Sequence, residues 1–266
     1  DYGWLTSNLW DRKRTPLVHK EALEIMRREK EFKWFFDTRF EALDWFVDRH
    51  PEMLDELKQR VKEGRWGVAA GSFCNPDNPF MEAEAMIRNL VLGRRDFEAM
   101  FPGVNLEVAI FNDIHPGYSQ IPQLLRQAGY GFYRITRAVE ALDKKGYKRE
   151  FIWEGLDGSE VVFSCGPYSW MGGEWTGGRS RFDEINDYQK DWKTAVVAFY
   201  ESAVKDLLPN SATGLIYLPL GTDYARPLRA YFESLSGEPY LDMPGFVREW
   251  KKREAAPLAF ATPIEY

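Results

Sequence analysis

The feature that most constrains this chain is alternation. Short apolar runs of strand type trade places with longer stretches whose apolar residues recur three or four apart. A helix is expected from Leu17 to Lys30, with Thr15 as N-cap and Pro16 in its first turn. Phe32 to Phe36 reads as a strand and Phe40 to about Asp48 as a helix. His50-Pro51 opens another helix, with Met53, Leu54, Leu57 and Val61 on one face and Gly64 as its stop. A strand at Trp66 to Ala70, a long helix from Glu82 to about Phe101 and a buried-type strand at Glu107 to Phe111 follow. Next come a helix from Ser119 to Ala128, stopped by Gly129, and a strand at Gly131 to Ile135. Phe151 to Trp153 and Val161 to Phe163 flank Asp157-Gly158, a good hairpin turn. Further on, a helix from Asp187 to Leu207 and a strand from Gly214 to Leu218 are expected. Helices near Pro227 to Leu235 and Phe246 to Glu254 and a short strand at Leu258 to Ala261 complete the order. Strands and helices in this order imply an α/β protein with a mostly parallel sheet wrapped by helices.

The 266 residues fit one large domain or two small ones. The net charge of −6 is spread over interspersed acids and bases, which speaks against a nucleic-acid surface. No apolar run is long enough to span a membrane. Cys74 and Cys165 form neither a disulfide framework nor a CxxC pair, so they read as free thiols, which fits a reducing compartment. Ten Trp and 13 Tyr suit either a large aromatic core or a site that stacks on the apolar faces of sugars. The chain opens on Asp1-Tyr2-Gly3-Trp4 without an initiator Met, which is expected of a piece of a longer polypeptide.

In parallel α/β folds the chemistry gathers where strands end. Asp37, Asp77, Asp113 and Asp223 all follow expected strands. A lone aspartate there is more often a helix cap or turn former. Context sets two apart: Asp113 lies in Phe111-Asn112-Asp113-Ile114-His115-Pro116-Gly117 with no helix starting at once, and Asp223 lies between a strand and Pro227. Two carboxylates at one mouth are the minimum for glycoside hydrolysis, where one attacks or activates water and the other protonates the leaving oxygen.

Several segments, in order, resemble glycoside hydrolase family 38, the α-mannosidase family. Asp1-Tyr2-Gly3-Trp4 is similar to the end of its His-x-Asp-x-Gly-Trp motif. His50-Pro51-Glu52, Lys62 to Gly71 and Pro76-Asp77 resemble a later conserved stretch, and Glu84 to Arg88 with Gly93 resembles its Glu-x-x-x-Arg helix. Asp113 to Gln123 keeps the spacing of Asp-x-Phe-Gly-His-Ser-x-Gln-x-Pro-Gln. Phe151 to Ser159 and Pro219-Leu220-Gly221-Thr222-Asp223-Tyr224 match further segments, and Phe260 to Tyr266 resembles the strand that ends the family's catalytic domain.

The resemblance implies a seven-stranded (β/α) barrel-like fold of the glycoside hydrolase/deacetylase type, with residues 1–266 as one catalytic domain. It implies a retaining enzyme acting on a glycan or oligosaccharide, with Asp113 as nucleophile and Asp223 as acid/base. Trp4 would stack on sugar, Arg137 would keep the nucleophile ionised, and Tyr168 and Trp170 would stand near the substrate. Zinc is implied as cofactor, with Asp1 and Asp113 as ligands. The family's two histidine ligands correspond to places before and after this chain, so the zinc site is incomplete within it.

His19, on a helix, and His50, before a proline, read as structural. His115 replaces a family Phe and is a candidate substrate contact. The Phe-Gly-His after the nucleophile is replaced by Ile114-His115-Pro116-Gly117, and Thr222 stands for an acid. These departures leave the sugar open. They also leave two rivals: a decayed, carbohydrate-binding barrel, and a zinc-dependent polysaccharide deacetylase. The latter needs an Asp-Asp and a His-x-x-x-His pair that three scattered histidines do not supply.

Overall fold

The computed structural model describes residues 8–74, 81–112, 117–166, 201, 204–218, 243–253 and 257–266. The chain divides into two compact units. The first gathers residues 1–32, 169–209 and 216–260, and the second gathers 33–168, 210–215 and 261–266.

In the first unit, α1 (Asn8–Arg28) begins nine residues before the expected start and runs straight through Pro16. A proline inside a helix removes one hydrogen bond and crowds the preceding turn. Here Thr15 and Pro16 are buried, so packing holds the helix through the defect and Thr15 is not its cap. Val18, Ala22, Leu23, Ile25 and Met26 are buried along α1, as are Val247 and Trp250 on a helix at Met243–Trp250. Ion pairs join Glu29 to Arg248 at 2.6 Å and Glu31 to Lys251 at 2.7 Å. Both are solvent-exposed, so water and salt screen them and they add little to stability. Phe260 meets Phe32 edge-on at 5.1 Å.

His19 is wholly buried on α1, and burial pushes its pKa from 6.5 down to about 3. The folded value lies below the unfolded one, so the neutral imidazole supports folding above pH 6.5. That support drains away as pH falls from 6.5 toward 3. Denaturant midpoints of the wild type should therefore drop over this window. Those of His19→Leu should drop less, and equal slopes would show that His19 does not govern acid stability.

The second unit carries the sheets. β1 (Trp34–Arg39) pairs in parallel with β2 (Trp66–Ser72), with Trp34 opposite Trp66 and a slip between Asp37 and Arg39. Between them run α2 (Phe40–Arg49), a 3-10 turn at Pro51–Met53 and α3 (Leu54–Lys62), which stops at Gly64 with φ of 67°. α4 (Ala83–Met100) leads to β3 (Val108–Phe111), and α5 (Ile121–Gln127) leads to β4 (Phe132–Ile135). α6 (Val139–Lys144), a short helix the periodicity does not announce, precedes a hairpin of β5 (Glu150–Glu154) and β6 (Glu160–Cys165). The second sheet has the order β3-β4-β6-β5, parallel except at β5.

The expected Asp157-Gly158 turn closes the hairpin. Gly158 has φ of 82°, and Asp157 accepts from the Ser159 amide at 3.1 Å and hydroxyl at 2.7 Å. One face of the sheet presents Ala109, Phe111, Tyr133, Ile135, Phe163 and Cys165 to Met86 and Leu90 of α4 and Ile121 and Leu125 of α5. By alternation along each strand, Ile110, Arg134 and Ser164 lie on the opposite face. There Val108 and Ile110 pack on Ala69, with Phe35 alongside.

Among the described residues the strands form sheets of two and four, with no closed seven-stranded barrel. Gly214 to Leu218, expected as a strand, has no ladder. Gly214 has φ of 76°, and the Gly214 and Leu215 amides are taken up by side chains. The Ser211 hydroxyl accepts from Thr213 and Gly214 at 3.2 and 3.0 Å, and the Thr213 hydroxyl accepts from Leu215 at 3.1 Å. Leu258 to Ala261 is also unpaired; just beyond it Glu265 caps the Thr262 amide at 2.7 Å.

Candidate active site

The parallel register brings the carboxyl ends of β3, β4 and β6 to one edge. Phe111 lies opposite Ile135, and Ile135 opposite Cys165. Beyond β3 the described chain reaches Asn112. Beyond β4 come buried Thr136 and then Arg137, exposed in a turn ahead of α6. Beyond β6 comes Gly166. β5 runs the other way, so Arg149 and Glu150 begin at this same edge.

Of the expected site residues, Arg137 is thus placed at the carboxyl end of β4. Asp1, Trp4, Asp113, His115, Tyr168, Trp170 and Asp223 lie outside the described residues. The two histidines set aside as structural stay so. His19 is sealed in the first unit, and His50 Nδ1 lies 3.1 Å from a Glu52 carboxylate oxygen.

Beside this edge lies a polar cluster that the strand reading missed. Arg134, 6% exposed, donates from Nη1 to the Ser164 hydroxyl at 3.0 Å, and its guanidinium carbon stands 6.0 Å from the centre of the Tyr266 ring. The Tyr266 hydroxyl donates to Glu150 Oε1 at 2.9 Å, while Glu150 Oε2 accepts from the Ala212 amide at 2.7 Å. Burial, then the hydrogen bond to Glu150 and that carboxylate's charge, pushes Tyr266 up to about 12, so it stays a donor. The signal was present in the sequence: a charge within Phe132-Tyr133-Arg134-Ile135, a strand otherwise fit for burial. On the helix-covered face Arg149 grips Asp143 at 2.8 Å, and the buried Cys165 thiol is pushed up by burial although Arg134 and Arg149 oppose the shift.

α4 fixes the exit of β2. Asn89, 6% exposed, donates from its side chain to the Cys74 carbonyl at 2.8 Å and accepts from the Cys74 amide at 2.9 Å. Its backbone carbonyl accepts from the Phe73 amide at 3.0 Å. One turn later Gly93 brings the helix backbone against Ser72 and Phe73. The Glu84–Arg88 pair of the same helix, 2.7 Å long, is exposed at both ends.

Zinc takes three or four N, O or S ligands. Among the described residues no group of three His, Cys, Asp or Glu side chains converges. The expected donors Asp1 and Asp113 supply carboxylate oxygens suited to the ion, but two of them are half a set.

Strands, helices and the shared edge define an α/β protein of the kind whose chemistry sits at strand ends. The chain matches the Glycosyl hydrolases family 38 N-terminal domain over residues 1–266, and it belongs to that family. Alpha-mannosidase G of Dictyostelium discoideum is 27% identical over 164 residues, which are 61% of this chain and 15% of that protein. A putative mannosylglycerate hydrolase of Halalkalibacterium halodurans is 29% identical over 157 residues, 53% of this chain and 17% of that protein. The fold is similar to that of an alpha-mannosidase from Enterococcus faecalis V583, with a TM-score of 0.67 and 18% identity over 98% of this chain and 29% of that one. The chain thus spans under a fifth of the length of these curated relatives.

Proposed function

We propose that residues 1–266 act as the catalytic domain of a retaining, α-mannosidase-like glycoside hydrolase, and that the remaining strand-forming segments complete a seven-stranded (β/α) barrel. The observation that supports this best is the shared edge. β3 and β4 are parallel and in register, so the chain leaves β3 toward Asp113 and β4 toward Arg137 on the same side. The segment order that resembles the family's singles out Asp223 as the partner of Asp113.

In this reading Asp113 attacks the anomeric carbon and forms a glycosyl ester, while Asp223 delivers its proton to the departing glycosidic oxygen. Asp223 then takes a proton from water, the hydroxide opens the ester, and Asp113 is released as carboxylate. The two carboxyl groups would stand about 5–5.5 Å apart, as retention requires. The Arg137 cation favours the ionised form of Asp113. Trp4, Tyr168 and Trp170 offer ring faces to the sugar, and His115 a polar contact. Zinc, when bound, would grip sugar hydroxyls and favour a distorted ring. Asp1 and Asp113 are the donors this chain contributes, and no step above depends on the ion.

The test is metal content together with hydrolysis of an aryl glycoside panel, in the full-length protein. The panel contains aryl α-mannosides and aryl glycosides of other sugars, and mannosylglycerate is assayed beside it because one relative bears that description. Stoichiometric zinc with turnover that retains anomeric configuration is expected. Sugar binding without turnover would favour a decayed, sugar-binding barrel instead.

A further inference from the structure

Ion pairs as exposed as Glu29–Arg248 and Glu31–Lys251 add little to stability, yet both line the same cleft. The cleft holds about 280 Å³ and lies wholly within the first unit. It is built from residues 29–32, just past α1, and from Pro244, Arg248, Lys251 and Phe260. Its apolar part is Pro244, the half-buried Phe260 and, meeting that ring edge-on, Phe32. None of these residues belongs to the strand edge that gathers Asn112, Arg137 and Gly166.

The lining sets the kind of ligand. Its two acids and three bases, Lys30 being the fifth charge, nearly cancel, and four of them are paired with each other. A charged ligand therefore meets little net field. A neutral polyol meets a ready array. In each pair a cationic N–H group stands 2.6 or 2.7 Å from a carboxylate oxygen, so donor and acceptor lie side by side. Neighbouring hydroxyls of a sugar ring match this, because each can both donate and accept. The apolar C–H face of the same ring suits Phe260 and Pro244. Ligand pockets usually hold about 300 Å³ or more, so a cleft just under that size suits a single ring.

We propose that this cleft is a carbohydrate site that takes one pyranose ring of a mannose-containing glycan. The class of sugar rests on the hydrolase reading above, while the site itself uses neither Asp113 nor Asp223. One ring held by exposed pairs and one aromatic face binds weakly. Its use is as a second foothold, which raises the effective concentration of a long glycan at the catalytic residues.

The test is photolabelling of the full-length protein with an α-mannoside whose aglycone carries a diazirine, followed by peptide mapping. Label is expected in peptides that contain residues 29–32, 244–251 or 260, and excess mannose should remove it. Lys251→Ala strips the donor from one exposed pair, and Phe260→Leu replaces the ring face with an aliphatic chain. Each should lower the label in these peptides about fivefold, the scale of one lost contact. Lys252→Ala, one residue on but outside the lining, should label like the wild type.

A wild type without label in these peptides, label that mannose does not displace, or undiminished label in both Lys251→Ala and Phe260→Leu would overturn the proposal. If Phe260→Leu does not fold, Lys251→Ala, changed on an exposed side chain, decides by the same readout. Hydrolysis of an aryl α-mannoside by the same preparation separates this site from the hydrolase reading. Displaceable label in the cleft without turnover sinks the hydrolase reading alone. Turnover without label in the cleft sinks the second site alone. A protein that shows neither sinks both.

Discussion

Asp113→Asn is expected to lower kcat for α-mannoside hydrolysis by roughly 10⁴-fold, the scale seen when a covalent nucleophile is removed. The amide keeps the size of the side chain but cannot form the glycosyl ester, so the two-step route closes. Asp223→Asn should behave differently because its duties depend on the leaving group. With a phenyl mannoside, whose departing oxygen needs a proton, kcat/KM should fall by about 10²–10⁴-fold. With a dinitrophenyl mannoside, whose phenolate leaves unaided, formation of the ester should be nearly spared. The ester should then accumulate, and azide, which needs no base, should release it as the glycosyl azide. Initial bursts and azide rescue, measured side by side in the two variants, assign the roles. Azide rescue confined to Asp113→Asn would reverse the assignment, and wild-type activity in both would remove the pair from the chemistry.

The largest effect on stability is expected at Gly93. A Cβ there would run into the Ser72 carbonyl carbon and the Phe73 nitrogen, which are backbone atoms of the segment leaving β2. A side chain can rotate away from such a clash, but this backbone is pinned by Asn89. Alanine is worth about 1 kcal/mol more than glycine inside a helix. Overpacking of this kind costs about 3 kcal/mol or more, so the clash wins. The net cost of about 2 kcal/mol should lower the melting temperature of Gly93→Ala by roughly 4–8 °C, given about 2–4 °C per kcal/mol at this chain length. Gly103 supplies the control. It sits at φ of 79° with nothing within 4 Å, so alanine there should cost only about 1–2 kcal/mol of backbone strain. Equal shifts in the two variants would show that α4 does not press on the segment leaving β2.

Where local chemistry and packing agree, the sequence is a good guide. Asp157-Gly158 turns the β5–β6 hairpin because glycine takes the positive φ and the aspartate bonds Ser159. The stops at Gly64 and Gly129 work for the same conformational reason. The strand at β3 was legible because every residue in it is apolar and buried. Misreadings arise where distant partners decide. Pro16 looks like a helix start until the burial of its surroundings is known. Gly214 to Leu218 has strand composition, but it opens on a positive φ at Gly214, and Ser211 and Thr213 take up the Gly214 and Leu215 amides. Arg134 inside an apolar strand makes sense only once Ser164, 30 residues away, and Tyr266 have been brought to it. Asp113 and Asp223 were singled out by motif order alone, and both lie outside the described residues.

The second unit is assembled from pieces far apart in the chain, and this bears on how it is made. Glu150 on β5 waits for the Ala212 amide and for the Tyr266 hydroxyl, which lies 116 residues downstream. Contacts of such long range are slow to form, because loop closure must precede the reward. On the ribosome, β1 to β6 can emerge and pair while the clamp on β5 is still unsynthesised. The nascent sheet therefore passes through a stage in which Arg134 has Ser164 but not Tyr266. Ribosome-stalled chains ending before and after residues 261–266 should therefore differ sharply in their resistance to pulse proteolysis.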